Sequence, residues 1–221
     1  MIIEFLGRPG SGKSTIATEL AREPHVELGV AYPWMGSKSS LLRRAMRKSR
    51  VDYILYRTLL RARFATHPYL TTGTLSRYLS ELAFDELGQR EIQRRKRLLI
   101  RDLLTHLAIR QMKSQEAYVL EEGLVQRGVS GSLSGVSDAV LRRHYQLIPM
   151  ADLYVHVDAP DPVLTRRLVT RDGGAHKLIS KNAFDLARLE LESRGALVVD
   201  VDGEASLGEA VDSIRPYLHL T

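Results

Sequence analysis

Gly7-Arg8-Pro9-Gly10-Ser11-Gly12-Lys13-Ser14 fits the pattern G-x-x-x-x-G-K-[ST] and stands between an apolar run and an amphipathic one, the setting in which that pattern has a mechanism. Ile2-Ile3-Glu4-Phe5-Leu6 has the length and residue types of a buried parallel strand, while Thr15-Ile16-Ala17-Thr18-Glu19-Leu20-Ala21 carries apolar residues at helical spacing. A loop placed this way opens a helix. Its glycines let successive N–H groups turn inward toward an anion, which also meets the positive end of the helix dipole. Residues Gly7, Arg8, Pro9, Gly10, Ser11, Gly12, Lys13, Ser14 and Thr15 are therefore expected to cradle nucleotide phosphates, with Lys13 at the β- and γ-phosphates and the Ser14 hydroxyl on Mg²⁺. ATP and Mg²⁺ are the expected cofactors.

A chain of 221 residues with 44% apolar content suits one α/β domain with its own core, and no second independent domain is expected. No run approaches the ~20 apolar residues of a membrane span, and Met1 leads straight into the first strand, so a soluble, unexported chain with no membrane partner is expected. The absence of cysteine excludes disulfides and thiolate metal sites; a cytoplasmic location rests only on the need for ATP. Charge is unevenly spread. Residues 36–80 hold ten cations (Lys38, Arg43, Arg44, Arg47, Lys48, Arg50, Arg57, Arg61, Arg63 and Arg77) against the single acid Asp52, a net of +9 in a chain of +6, which leaves −3 elsewhere. Such a segment beside a phosphate-binding loop favours an anionic substrate or a nucleic acid, although a solvated helix face is the ordinary explanation for any one arginine.

Helical spacing recurs at Ser40–Met46, Val51–Phe64, Leu75–Leu87 and Ile92–Met112, with Leu99, Leu103 and Leu107 on one side of the last. Its basic run Arg94-Arg95-Lys96-Arg97 reads mainly as solvated surface. Tyr118–Leu120, Leu153–Val157 and Ala196–Val199 read as further strands, and a short one near Val30–Tyr32 brings the sheet to five. Helices are expected at about 162–171, 182–194 and 206–218. Strands alternating with helices predict a three-layer sandwich: a five-stranded parallel sheet with helices on both faces. Within this single domain, residues 36–112 form a helical acceptor-binding segment and about 162–185 a short lid.

Phosphoryl transfer needs an acid, cations for the transferring charge and a means of excluding water. Glu121-Glu122 ends an apolar strand whose carboxyl end belongs beside the phosphate-binding loop, and alternation along the strand lets only one of the two face the site directly. Arg127, in the loop that follows, is placed to bind acceptor or phosphate. Arg167 and Arg171 lie one turn apart on a helix face and precede Gly173-Gly174, a break suited to a lid that carries guanidinium groups onto the γ-phosphate. Arg166 points elsewhere.

With these residues in place the chain resembles the P-loop kinases of nucleosides and nucleotides over nearly its whole length. Ile2–Gly7 with the loop, Val119–Gly123, Asp152–Arg171 and Val199-Asp200-Val201-Asp202-Gly203 look like thymidylate-kinase and deoxynucleoside-kinase segments in the same order. The resemblance implies that Glu121 is the base that also organises Mg²⁺, that Arg167 and Arg171 are the arginine pair of the lid, and that Asp202 and Gly203 border adenine. Where those families carry Asp-Arg or Glu-Arg after the strand, this chain has Glu121-Glu122, so the arginine is missing and the subfamily stays open. Tyr32, Trp34, Tyr53, Tyr56, Tyr69 and Tyr78 are candidates to stack on a base, or else core residues.

Three readings follow. The first is a kinase for a hydroxyl or phosphate of a small nucleoside- or nucleotide-like acceptor. The second is a kinase for a hydroxyl within DNA or RNA, including that of a modified base, with residues 36–80 as the track. The third is a nucleotide-dependent regulator with no acceptor. Oligomeric state is left open, a homodimer included.

Overall fold

β1 (Ile2–Leu6) is buried along its whole length and hydrogen-bonded on both edges. The computed structural model describes residues 1–28, 67–81, 84–111, 115–132, 134–172 and 181–219. After β1 come α1 (Lys13–Leu20), β2 (Val26–Leu28), α2 (Pro68–Thr71), α3 (Thr74–Glu81) and α4 (Phe84–Gln111). They are followed by β3 (Ala117–Leu120), α5 (Leu124–Ser132), α6 (Asp138–Leu147), β4 (Leu153–Asp158) and α7 (Asp161–Asp172). The chain closes with α8 (Lys181–Ser193), β5 (Val198–Asp202), α9 (Leu207–Ile214) and a 3₁₀ turn, Arg215–His219.

The strands are all parallel in the order β2-β3-β1-β4-β5, so their carboxyl ends share one edge with β1 at its centre. Side chains alternate across a strand and sort the apolar residues into two cores. Ile3 and Phe5 pack with Val119, Val155 and Val201 against Ile16, Ala17 and Leu20 of α1 and Val211 and Ile214 of α9. On the other face, Ile2 and Leu6 pack with Tyr118, Leu120 and Tyr154 against α4, α5, α6 and α8. The expected five-stranded parallel sheet with helices on both faces is therefore present. α9 begins with a reciprocal cap, in which the Ser206 hydroxyl accepts from the Glu209 N–H while the Glu209 carboxylate accepts from the Ser206 N–H.

Several boundaries differ from those expected. The fifth strand is β2; the Val30–Tyr32 position lies outside the described residues, as do the expected helices at 40–46 and 51–64, the larger part of the basic segment, Tyr32, Trp34, Tyr53, Tyr56 and Gly173-Gly174. β5 starts two residues later than expected and runs to Asp202, because its ladder with β4 continues to the pair Asp158↔Asp202. Of the helix expected to span Leu75–Leu87, residues 82 and 83 lie outside the described residues; α3 is described up to Glu81, and α4, from Phe84, runs unbroken through Gly88. A helical glycine costs about 1 kcal/mol, which the burial of Ile92, Leu99, Leu103 and Leu104 on one face outweighs. Arg94, Lys96 and Arg97 are exposed, as expected, but Arg95 reaches Ser134 Oγ at 2.6 Å. Among the described residues no helix is long and apolar enough to cross a membrane.

The sidedness of α4 sets a test. Leu103→Ala should cost roughly 2–5 kcal/mol of unfolding free energy, and Arg97→Ala on the opposite face less than about 0.5 kcal/mol. Urea titrations of both variants that gave equal losses would contradict the assignment of the two faces.

Candidate active site

At the shared carboxyl edge, Gly7 leaves β1 with φ 148°, and a β-carbon there would lie 2.1 Å from the Val157 carbonyl oxygen. Only glycine fits so close to β4. The Gly7 N–H donates to Gln126 Oε1 at 3.3 Å, which ties the loop to α5. Gly12, at φ 104°, turns the chain into α1, so the first turn of that helix faces the cleft. Lys13 Nζ folds back onto the loop and donates to the carbonyls of Gly7 at 2.8 Å and Arg8 at 3.2 Å. Burial pushes this ammonium down to about 8; the charges of Glu122 and Glu121 oppose that shift, and Arg171 adds to it.

A cleft of about 560 Å³ is walled by Pro9, Gly10, Gly12, Lys13, Ser14 and Thr15 on one side. Arg167 and Arg171 of α7, Glu122 and Gln126, and the turn Gly203, Ala205 and Leu207 complete it. Arg167 and Arg171 thus line the same cleft as the loop. Arg167 Nη1 donates to the carbonyls of Gly10 at 3.2 Å and Ser11 at 3.4 Å. Gly7 and Ser11 are buried and do not line the cleft. Two of the expected residues have their side chains engaged elsewhere. The Arg8 guanidinium points away from the cleft, because Asp158, Asp161 and the Ala159 carbonyl hold it at the junction of β4 and α7. The Asp202 carboxylate accepts from the Glu204 N–H at 2.8 Å within its own turn, leaving Gly203 alone of that pair in the wall.

The acidic pair divides between two cavities. Beside the first lies a second, of about 300 Å³, lined by Leu28, Arg101, Asp102, Thr105, Glu121 and Arg127 among others. Glu121 lines only this second cavity, whereas Glu122 lines both. Arg127 sits in the partition. Its Nε donates to Asp102 Oδ2 at 2.8 Å and its Nη1 to Glu122 Oε2 at 3.2 Å. Burial alone would weaken its charge, but the two carboxylates more than offset this and raise its pKa. Arg101 Nε donates to the other oxygen of Asp102 at 2.7 Å.

Beneath the acidic pair is a polar support that the motifs do not announce. Glu4 is fully buried in β1; its Oε1 accepts from the Val125 N–H at 2.7 Å, and its Oε2 has no hydrogen-bond partner among the described residues. Gly123 passes directly over it, where a β-carbon would come within 2.3 Å of the carboxyl carbon. Burial drives the Glu4 pKa from 4.5 to about 7, with Asp102 adding to the rise and the N–H groups of Val125, Gln126 and Leu124 opposing it. His144 fixes the start of α5. Since a carbonyl only accepts, Nε2 carries the proton to Leu124 O at 2.9 Å, and Nδ1 accepts from the Tyr69 hydroxyl at 2.6 Å. The Tyr78 hydroxyl donates to the Arg127 carbonyl at 2.6 Å. Tyr69 and Tyr78 are therefore core residues and not base-stacking ones. The available signals were an acid inside an apolar strand and, in Asp102, an acid on the apolar face of α4.

No family model matches the chain, and no curated protein matches it. Solved structures do. Deoxyadenosine kinase from M. mycoides, with the products dCMP and a flexible dCDP bound, aligns over 100% of both chains at 13% identity and a TM-score of 0.50. The same enzyme with bound dCTP aligns over 100% of both at 14% identity and a TM-score of 0.50. The chain shares its fold with these deoxyadenosine kinase structures.

The buried carboxyl of Glu4 yields a pH test. Its folded pKa of about 7 lies above its unfolded value of 4.5, so its favourable contribution is complete below pH 4.5 and lost as pH rises through 7. His106 and His144 act in the opposite sense: burial lowers both to about 4 from 6.5, so they add stability as pH rises over that range. Glu4→Gln removes only the first effect. Relative to the parent, the variant should gain about 3 kcal/mol between pH 4.5 and pH 8, read from urea unfolding at the two values. A pH-independent difference would mean that Glu4 is not a neutral buried acid.

Proposed function

We propose that this protein is an ATP- and Mg²⁺-dependent phosphotransferase whose acceptor is a small nucleoside- or nucleotide-like molecule. The observation that carries the reading is the pair of adjoining cavities. One has the Gly7–Ser14 loop, Lys13, Arg167 and Arg171 in its wall, and the other has Glu121, with the Glu122–Arg127 pair as the partition. A donor phosphate in the first and an acceptor hydroxyl in the second would meet at that partition, and holding reactants in such a geometry is itself a large part of catalysis. The deoxyadenosine kinase fold and the nucleotides named in those structures support the same assignment.

In this scheme Lys13 and Arg167 leave backbone carbonyls for phosphate oxygens and stabilise the charge that spreads in the transition state. Arg171 adds a second cation from the next turn. Glu121 accepts the proton of the acceptor hydroxyl. The residues also fit a magnesium ion. Among the described residues no cluster of three or more metal-ligating side chains occurs, and magnesium is usually held by one or two carboxylates together with substrate phosphates. Ser14 Oγ and a carboxylate of the acidic pair would hold it; Glu122 shares the cleft with Ser14, whereas the resemblance points to Glu121. Bound there, the ion neutralises phosphate charge. Residues 36–112 as acceptor segment, about 162–185 as lid, adenine beside Gly203 and a cytoplasmic setting belong to the same proposal.

The test is transfer from labelled ATP to a panel of nucleosides, nucleotides, sugars and DNA. Lys13→Ala should lower kcat about 100-fold or more, and Glu121→Gln should cost more than Glu122→Gln because only Glu121 faces the acceptor alone. Near-normal turnover in Lys13→Ala, or transfer only to DNA, would overturn the reading.

Lys13 supplies a second measurement. With a free-protein pKa of about 8, its charge is restored when phosphates arrive, so ATP binding at pH 8.5 should take up protons and weaken as pH rises further. Calorimetry in two buffers of different ionisation enthalpy reads that uptake, and Lys13→Ala should abolish it.

A further inference from the structure

Arg8 occupies a position where the loop motif accepts any residue, yet its residue is only 6% exposed and all three of its guanidinium nitrogens donate to one short stretch of chain. Nε donates to Asp158 Oδ1 at 2.8 Å, Nη1 donates to Asp161 Oδ1, and Nη2 donates to the Ala159 carbonyl at 2.7 Å. Asp158 is the last residue of β4 and Asp161 the first of α7, so one side chain clasps both ends of the two-residue connection between them. α7 returns to the same loop further along. A β-carbon on Gly10 would lie 3.3 Å from the Leu164 carbonyl oxygen and 3.7 Å from Arg167 Cβ, and Arg167 itself donates to Gly10 and Ser11. The helix is thus fixed to the loop at its first residue and again six residues on.

We infer that Arg8 is a positioning residue, whose clasp on Asp158 and Asp161 sets the angle at which α7 presents Arg167 and Arg171 to the phosphate-binding cleft. This rests on the phosphotransferase reading above. The lever is long enough to matter. Arg167 stands about 9 Å and Arg171 about 15 Å along the helix from Asp161, at ~1.5 Å per residue. A tilt of roughly 10° at the clasp displaces them by about 1.5 and 2.5 Å, against a tolerance of about 0.5 Å for groups that must meet a transition state. Lysine cannot replace the clasp, because an ammonium lacks the planar fork that reaches two carboxylates and a carbonyl together.

The experiment compares Arg8→Lys and Asp161→Asn, the latter at a carboxylate with 69% side-chain exposure whose loss leaves the core untouched. Both are made in the full chain, alone and combined with Arg167→Ala. Each single variant should melt within a few degrees of the parent, keep the KM for ATP within about threefold and lose about 10- to 100-fold in kcat. Added to Arg167→Ala, the same change should cost less than about threefold, because the group being positioned is gone. Full additivity, or a loss confined to Tm, overturns the inference. Amide exchange without nucleotide gives a reading independent of turnover: Arg8→Lys should speed exchange in the Val163–Leu168 stretch while β1 and α1 stay protected. Unchanged exchange there overturns the inference as well. A parent that neither binds ATP nor transfers phosphate defeats the phosphotransferase reading instead, and leaves the exchange result to decide whether Arg8 sets the helix.

Discussion

Everything near the cleft depends on β1 being hydrogen-bonded on both edges. A central parallel strand cannot shift its register without breaking two ladders and exchanging the faces of Ile2, Ile3, Phe5 and Leu6 between two separate cores. That rigidity carries through the strand ends. Gly7 continues β1 into the loop, Glu121 and Glu122 continue β3 on one side, and Asp158 ends β4 on the other. Three segments distant in sequence thereby deliver a loop, an acidic pair and a helix to one edge, where ligands of open parallel sheets collect.

The cations at this edge fall into two kinds according to what holds them. Arg8, Arg101 and Arg127 are bound to carboxylates, and for Arg8 and Arg127, the two with little exposure, removing either partner strands a charge, which makes them part of the framework. Lys13 and Arg167 instead meet neutral backbone carbonyls of the loop. A neutral acceptor is easily exchanged for a phosphate oxygen, because the cation then faces an opposite charge in place of a dipole. The distinction is invisible in a count of basic residues.

How much of this was legible in the sequence depends on whether the relevant partners are neighbours along the chain. The loop, the strand before it and the helix after it are defined by local pattern, and so are β3, β4 and the shared face of Arg167 and Arg171. β2 escaped because it is only three residues long with a single fully buried side chain, Val26. α4 begins ahead of the expected Ile92 because the burial of its apolar face outweighs the roughly 1 kcal/mol that a helical Gly88 costs. The role of Arg8 could not be read at all: its carboxylate partners are some 150 positions away, and the motif treats its place as free. Between Glu121 and Glu122, alternation established that the two differ in direction, but the division between two cavities requires the position of α4, which supplies Asp102 and Arg101 to the second.

The contact between Glu4 and Gly123 makes the history of this site directional. Any side chain at 123 needs the space that the carboxyl group fills, so position 123 can enlarge while keeping this arrangement only in a chain where residue 4 has already become smaller. The opposite order is open at every moment, since shortening residue 4 obstructs nothing. Once 123 has grown, however, a glutamate at 4 cannot return, and the turn that bears the acidic pair is then committed to a different foundation.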